Sequence, residues 1–332
     1  MSSREDKNTC EEDSTTGSVA FESADVRLER RDGRAAVLEF LNSRPRIGPG
    51  ILEGLNRGID AAEAESLPLV IHAPREHFAY GADLDDGFVA AERGDLRVLE
   101  AAITRFQQTK LRLRYARVPV VAAVRGAAIS GGCELLMHCA RVVAHRESFI
   151  GLREALVGIL PGGGGIKEMA RKASTGSGDF ESSIAQHFVT VAAGKAGNPA
   201  VAKELGYLRS DDVVTEDADL LGLAVAQAVS LSSAGYEPPG RNPPIRSAGG
   251  RTFDRLAKTQ EERAGQGKLT PHQCEVSLHI AEVICGGKGE PGMLDEAAFL
   301  ALEREHFLAL VQLPRTQERL RYLRETGEVL RN

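Results

Sequence analysis

The hydrophobic pattern has one dominant feature. Val118 to Val124 is an apolar run in which valine recurs, the pattern of a strand buried on both faces, and Gly126 interrupts it. Behind it come the small residues Ser130, Gly131 and Gly132, then Cys133 to Ala140, whose apolar spacing predicts a short buried helix with Glu134 in its first turn. Other elements are placed around this stretch. Val26 to Arg30 and Ala35 to Phe40 alternate on either side of Gly33, which predicts a hairpin. Helices are expected from about Pro49 to Glu65 and from Leu96 to Tyr115, with a strand from Leu67 to Ala73 and an acidic loop, Asp83 to Asp86, between. A strand at Ala140 to Ala144 continues this rhythm. Helices then follow at Gly165 to Ala173, Ile184 to Ala193, Pro199 to Leu205 and Asp217 to Ser232. Pro238, Pro239, Pro243 and Pro244 make residues 235–250 read as a linker. Beyond it, Thr252 to Ala264, Thr270 to Cys285 and Leu294 to Leu310 predict helices. The class is α/β, although periodicity alone does not choose among α/β folds.

Chemistry enters at three places. At Ser130 to Gly132 a ligand can approach the backbone, and the Gly131 amide at a helix start is a ready donor to an oxyanion. A second turn, Tyr80, Gly81, Ala82, Asp83 and Leu84, follows the Leu67 strand. A third segment, Phe149 to Gly165, sets Glu154 in apolar company ahead of Pro161 and four glycines. Each has a bland alternative: Glu134 as a carboxylate satisfied by the helix dipole, Glu154 as a solvated charge beside Arg153.

The three segments, in this order, resemble the crotonase superfamily, the enoyl-CoA hydratase and isomerase group, from about Val26 to Val214. The resemblance implies a spiral of strand–strand–helix units over residues 21–234, followed by a helical region at 251–332. It implies oxyanion donors at the amides of Ala82 and Gly131, and catalytic glutamates at Glu134, mainly for activating water, and Glu154, mainly for the proton at the α-carbon. Tyr80, Gly81, Asp83, Leu84 and Ser130 would contact substrate. Having both glutamates favours a hydratase over an isomerase, which manages with one. The tail from Leu313 to Asn332 resembles the C-terminus of fused bacterial 3-hydroxyacyl-CoA dehydrogenase/enoyl-CoA hydratase proteins, in which the crotonase part comes last. An acyl-CoA-binding subunit that partners a separate 3-hydroxyacyl-CoA dehydrogenase is therefore the alternative, and homo-oligomers are usual in the superfamily. Coenzyme A would enter with the acyl-CoA substrate, with no separate cofactor.

The family pattern is broken at three places. Ser130 replaces the first glycine of the triplet, Tyr80 is bulky where a small residue is common, and Arg44 to Arg46 stands where an Asn-containing stretch usually lies. These changes are expected to alter substrate preference, with Tyr80 narrowing the acyl pocket.

Composition narrows the classes further. A formal charge of −6 over 332 residues argues against nucleic acid as the main partner. Arg112, Arg114, Arg117 and Arg125 read individually as solvated charges. Cys10, Cys133, Cys139, Cys274 and Cys285 are odd in number without CxxC spacing, which suits a reducing cytoplasm and gives no zinc site. His272, His279 and His306 have no paired ligand spacing, so no metal is expected. No segment has the length of a membrane span. Residues 1 to about 20 read as a disordered leader without a signal peptide. Gly48, Gly50 and Gly54 lack the dinucleotide spacing and the preceding strand, so no nicotinamide site is expected.

Overall fold

A computed structural model describes residues 17–332. Strands β1 (Ser18–Glu22), β2 (Val26–Arg31) and β3 (Ala35–Phe40) form an antiparallel meander. Asp32 and Gly33, with φ of 52° and 62°, are the left-handed central residues of the turn that Arg34 N closes on Arg31 O at 2.9 Å, within a three-residue connection between β2 and β3. Up to residue 16 the expected leader lies outside the described residues. From Ser18 the chain is instead a strand, because its amides pair with β2 and the Arg57 guanidinium lies 4.2 Å over the Phe21 ring.

The next strands are β4 (Leu69–His72), β5 (Val120–Val124), β6 (Ala127–Ile129), β7 (Arg141–His145), β8 (Phe149–Gly151), β9 (Ala196–Gly197) and β10 (Val213–Thr215). The main sheet runs β1-β2-β3-β4-β5-β7-β10 and is parallel from β3 onward, while β6-β8-β9 make a small second sheet. Parallel strands need both faces covered. The helices up to this point are α1 (Pro49–Glu65), α2 (Asp85–Ala91), α3 (Arg97–Arg114), α4 (Gly131–Met137), α5 (Gly165–Thr175), α6 (Phe180–Ala192), α7 (Pro199–Leu205) and α8 (Leu220–Ser233), of which α1 and α8 pack directly on strands of the main sheet. One face packs Val37, Val70, Val121 and Val143 against Leu220, Ala224 and Ala228 of α8. The other face, with Leu38, Ile71, Ala122 and Val142, joins the main core. The acidic stretch expected as a loop enters α2 instead, and Asp85 and Asp86 stand in its first turn, where the helix dipole favours them. Arg114, read as solvated, is buried and pairs with buried Glu168 at 3.2 Å.

Within the stretch expected as a linker, β11 (Ile245–Ser247) pairs antiparallel with β12 (Gly292–Leu294). Helices α9 (Gly249–Gly265), α10 (Pro271–Cys285), α11 (Glu296–Val311) and α12 (Pro314–Thr326) complete the chain. Thr270 and Gln273 form a capping box at the start of α10. Val276, Ile280, Phe299 and Phe307 pack in the same cluster as β5 and α4, so the C-terminal helices share the core of the α/β part. Among the described residues no helix is long and apolar enough to cross a membrane.

Candidate active site

Two turns at the ends of core strands are zipped together by their backbones. Phe78 N donates to Arg125 O at 3.1 Å, Ala79 N to Ala127 O at 3.0 Å, and Ile129 N to Ala79 O at 3.0 Å. This register sets Gly81 and Ala82 against Ser130 and Gly131. Gly81 has φ of 135°, a conformation that a side chain resists. A methyl group built on Gly131 would lie 2.9 Å from the Ala82 amide nitrogen and 2.9 Å from Phe106 Cζ. The close approach therefore requires glycine at 131. Neither the Ala82 nor the Gly131 N–H is donated to another group among the described residues. Both sequence-named amides thus stand unpaired beside one opening.

Glu134 follows in the first turn of α4 and is 2% exposed. Its Oε2 accepts from Lys110 Nζ at 2.9 Å, and its Oε1 from Gly163 N and Gly165 N, each at 2.9 Å. Glu154 begins the 3₁₀ turn Glu154–Val157 and is 7% exposed. Its Oε2 has no hydrogen-bond partner among the described residues. Burial, with the charge of Glu134 nearby, raises the Glu154 carboxyl from its usual range to about 8. Lys110 is itself fully buried, and desolvation lowers its value, opposed chiefly by Glu134. The two glutamates are therefore electrically distinct: one is held by three donors, the other carries a proton at neutral pH. Such a division is what general acid and base work at one site requires.

Both glutamates line a cavity of about 530 Å³, together with Tyr80, Gly81, Ala82, Leu84, Ser130 and Gly131. Asp83 does not line it. Its side chain is exposed, with Oδ1 3.9 Å from Arg46 Nη1, and its amide donates to Ile47 O. Tyr80 is 42% exposed with its ring 5.0 Å from that of His77, so it flanks the cavity from a position largely in solvent. Ser130 is held at φ 54°, strained for a residue with a side chain, and its amide donates to Gly151 O at 2.8 Å.

Sequence reasoning missed Lys110, the glycine amides at 163 and 165, and the apolar wall supplied by Phe106, Phe307, Leu320, Leu323 and Val329. The signal for Lys110 was present: it shares a helical face with Leu99, Ile103, Phe106 and Leu113, all buried. A lysine in an apolar stripe needs a partner. The wall from α12 left no such mark, because long-range packing is not written in local periodicity. No group of three or more metal-ligating side chains occurs among the described residues, although His279 Nδ1 and His306 Nδ1 lie 2.8 Å apart.

Comparison with known proteins follows the same lines. The family described as enoyl-CoA hydratase/isomerase matches residues 53–225. A Bacillus subtilis (strain 168) protein named "Probable 3-hydroxyacyl-CoA dehydrogenase" is 31% identical over 321 residues, which cover 96% of this chain and 40% of that one. The chain thus spans well under half the length of that relative. A B. subtilis protein named "Probable enoyl-CoA hydratase" is 32% identical over 136 residues, 38% of this chain and 48% of its own. The crystal structure of an enoyl-CoA hydratase from Bacillus halodurans superposes with a TM-score of 0.59 over 90% of this chain and 99% of that one. At 16% identity this is a likeness of fold. The crotonase architecture and the family match agree, and the chain belongs to the enoyl-CoA hydratase/isomerase family of the crotonase superfamily.

Proposed function

We propose that the protein is an enoyl-CoA hydratase that adds water across the double bond of a 2-enoyl-CoA thioester in fatty-acid oxidation. The observation that carries this reading is the pair of glutamates in one cavity, Glu134 ion-paired with Lys110 and Glu154 buried with a carboxyl oxygen that has no partner among the described residues. In this reading the thioester oxygen lies between the Ala82 and Gly131 amides, which stabilise the enolate-like charge that develops on it. A water O–H bond breaks as its oxygen bonds to the β-carbon, and Glu134 accepts the proton. The carbon–carbon π bond opens, and the Glu154 proton passes to the α-carbon. Transfer of one proton from Glu134 to Glu154 then restores the pair. No further cofactor enters, and coenzyme A arrives as part of the substrate.

A second reading has an observation in its favour. Three of the acceptor positions of Glu134 are already occupied. An isomerase that shuttles a proton between α- and γ-carbons needs only one free carboxyl group, and Glu154 is that group. Turnover in ¹⁸O-labelled water separates the two. The hydratase reading gives a 3-hydroxyacyl-CoA carrying the label from a 2-enoyl-CoA. Unlabelled 2-enoyl-CoA formed only from a 3-enoyl-CoA would replace it with the isomerase. A homo-oligomeric state, a cytoplasmic location and a separate 3-hydroxyacyl-CoA dehydrogenase as partner belong to the same proposal, and co-purification without turnover would favour a binding subunit.

A further inference from the structure

Lys110 has a place in the site that the two-glutamate scheme does not use. It lies on the buried face of α3, with Nζ 2.9 Å from Glu134 Oε2 and 3.8 Å from the centroid of the Phe106 ring. A carboxylate has about four in-plane acceptor positions, two on each oxygen. On Glu134, Gly163 N and Gly165 N fill those of Oε1, and Lys110 fills one of those on Oε2. A single position is left. Lys110 makes no ion pair with Glu154, and Glu154 Oε2 has no partner among the described residues.

We propose that Lys110 is a positioning residue for hydration: it holds Glu134 as a carboxylate with one free acceptor position, which orients the attacking water, and so leaves the mobile proton to Glu154. This rests on the hydratase reading. The ammonium also opposes like-charge repulsion between the two buried carboxyl groups, which otherwise leads such a pair to share one proton. Other titratable groups around this pair are Glu303 of α11, Cys133 of α4, Tyr207, and His138, which burial holds below the usual imidazole range and hence neutral. Burial pushes the Cys133 thiol and the Tyr207 hydroxyl up, so neither competes for the proton at neutral pH.

The test is the pH profile of kcat/KM for crotonyl-CoA hydration by the full chain, measured for the wild type, Lys110→Met, Lys110→Arg, Glu134→Gln and the Lys110→Met/Glu134→Gln double variant. In Lys110→Met the acid limb should move to higher pH by about one unit or more, with kcat down about tenfold or more and KM little changed. Lys110→Arg, which keeps the charge, should return the limb. In the Glu134→Gln background, loss of Lys110 should change the rate by less than about twofold, because its partner is already gone. An unmoved limb in Lys110→Met, or a further loss of about tenfold in the double variant, would overturn the proposal. If Lys110→Met does not fold, the double variant compared with Glu134→Gln decides by the same criterion. If the wild type hydrates nothing, the hydratase reading fails separately. The role of Lys110 is then read from carbon-13 NMR of the glutamate carboxyls: one more buried carboxyl taking up a proton in Lys110→Met supports it, and an unchanged titration overturns it.

Discussion

Glu134 accepts from an ammonium and two amides, while Glu154 keeps a carboxyl oxygen without a partner in the same cavity. Sequence supplied both residues, but not this difference: Lys110 stands in the apolar stripe of α3, which calls for a partner, yet nothing local says that the partner is Glu134. The amides beside them are equally specific to the residue. In Gly131→Ala the new methyl would crowd the Ala82 nitrogen and Phe106, at 2.9 Å each. The expected outcome is a fall in kcat of about 10²–10³-fold with the fold retained, as for loss of an oxyanion donor, read by steady-state kinetics beside a thermal melt. Unchanged kcat would remove Gly131 from the oxyanion site. Tyr80 is the residue whose expected role shifts most on seeing the structure. Being 42% exposed beside His77, its loss in Tyr80→Ala should raise KM similarly for short and long acyl chains, whereas Leu323→Ala, in the cavity wall, should shift preference toward longer chains. Measuring kcat/KM across a series of chain lengths checks both. A preference altered by Tyr80→Ala but not by Leu323→Ala would reverse the assignment.

Between elements, the most consequential contact is one that no motif announces. Glu303 on α11 accepts from the amides of Gly164 and, at 2.7 Å, Lys167, and so caps the start of α5 from far along the chain. The same glycine run supplies Gly163 N and Gly165 N to Glu134. The cap of α5 and the support of the Glu134 carboxylate are therefore one structure. Glu303→Ala leaves two buried amides unpaired and should cost about 2–4 kcal/mol in a denaturant titration. A loss under about 0.5 kcal/mol would show that water or a shifted backbone replaces the cap. Elements with strong local signals were legible: the Gly33 hairpin, α1 between Pro49 and Glu65, and the all-buried β5 follow from turn chemistry and periodicity. The start of α2 was not, because Asp85 and Asp86 suit a loop as well as a helix N-terminus. Nor was β11, a short strand among prolines that exists only through its pairing with β12.

For the whole molecule, the buried acid links the site to folding. An unfolded chain releases the Glu154 proton near the ordinary glutamate value of 4.5, whereas the folded chain releases it only near 8. Between those values the folded state binds the extra proton. The Glu154 contribution to stability is fully present below about pH 4.5 and is lost as pH rises, until it levels off above pH 8. Glu154→Gln does not titrate. Its stability relative to wild type should therefore improve steadily from pH 5 to pH 8 in melts run side by side, and parallel curves would deny that Glu154 is buried as an acid. The C-terminal helices share the main core and wall the cavity through Leu320 and Leu323, so part of the cavity wall belongs to the packing that stabilises the whole chain.

The most direct measurement is the loss of enoyl absorbance when the protein is added to crotonyl-CoA and to decenoyl-CoA, run beside Glu134→Gln and Glu154→Gln. Hydration of at least one substrate by the wild type, with both variants slower by at least about two orders of magnitude, is the predicted result. A wild type that binds acyl-CoA without consuming it, or a variant at either glutamate that retains full rate, would contradict the two-carboxylate account.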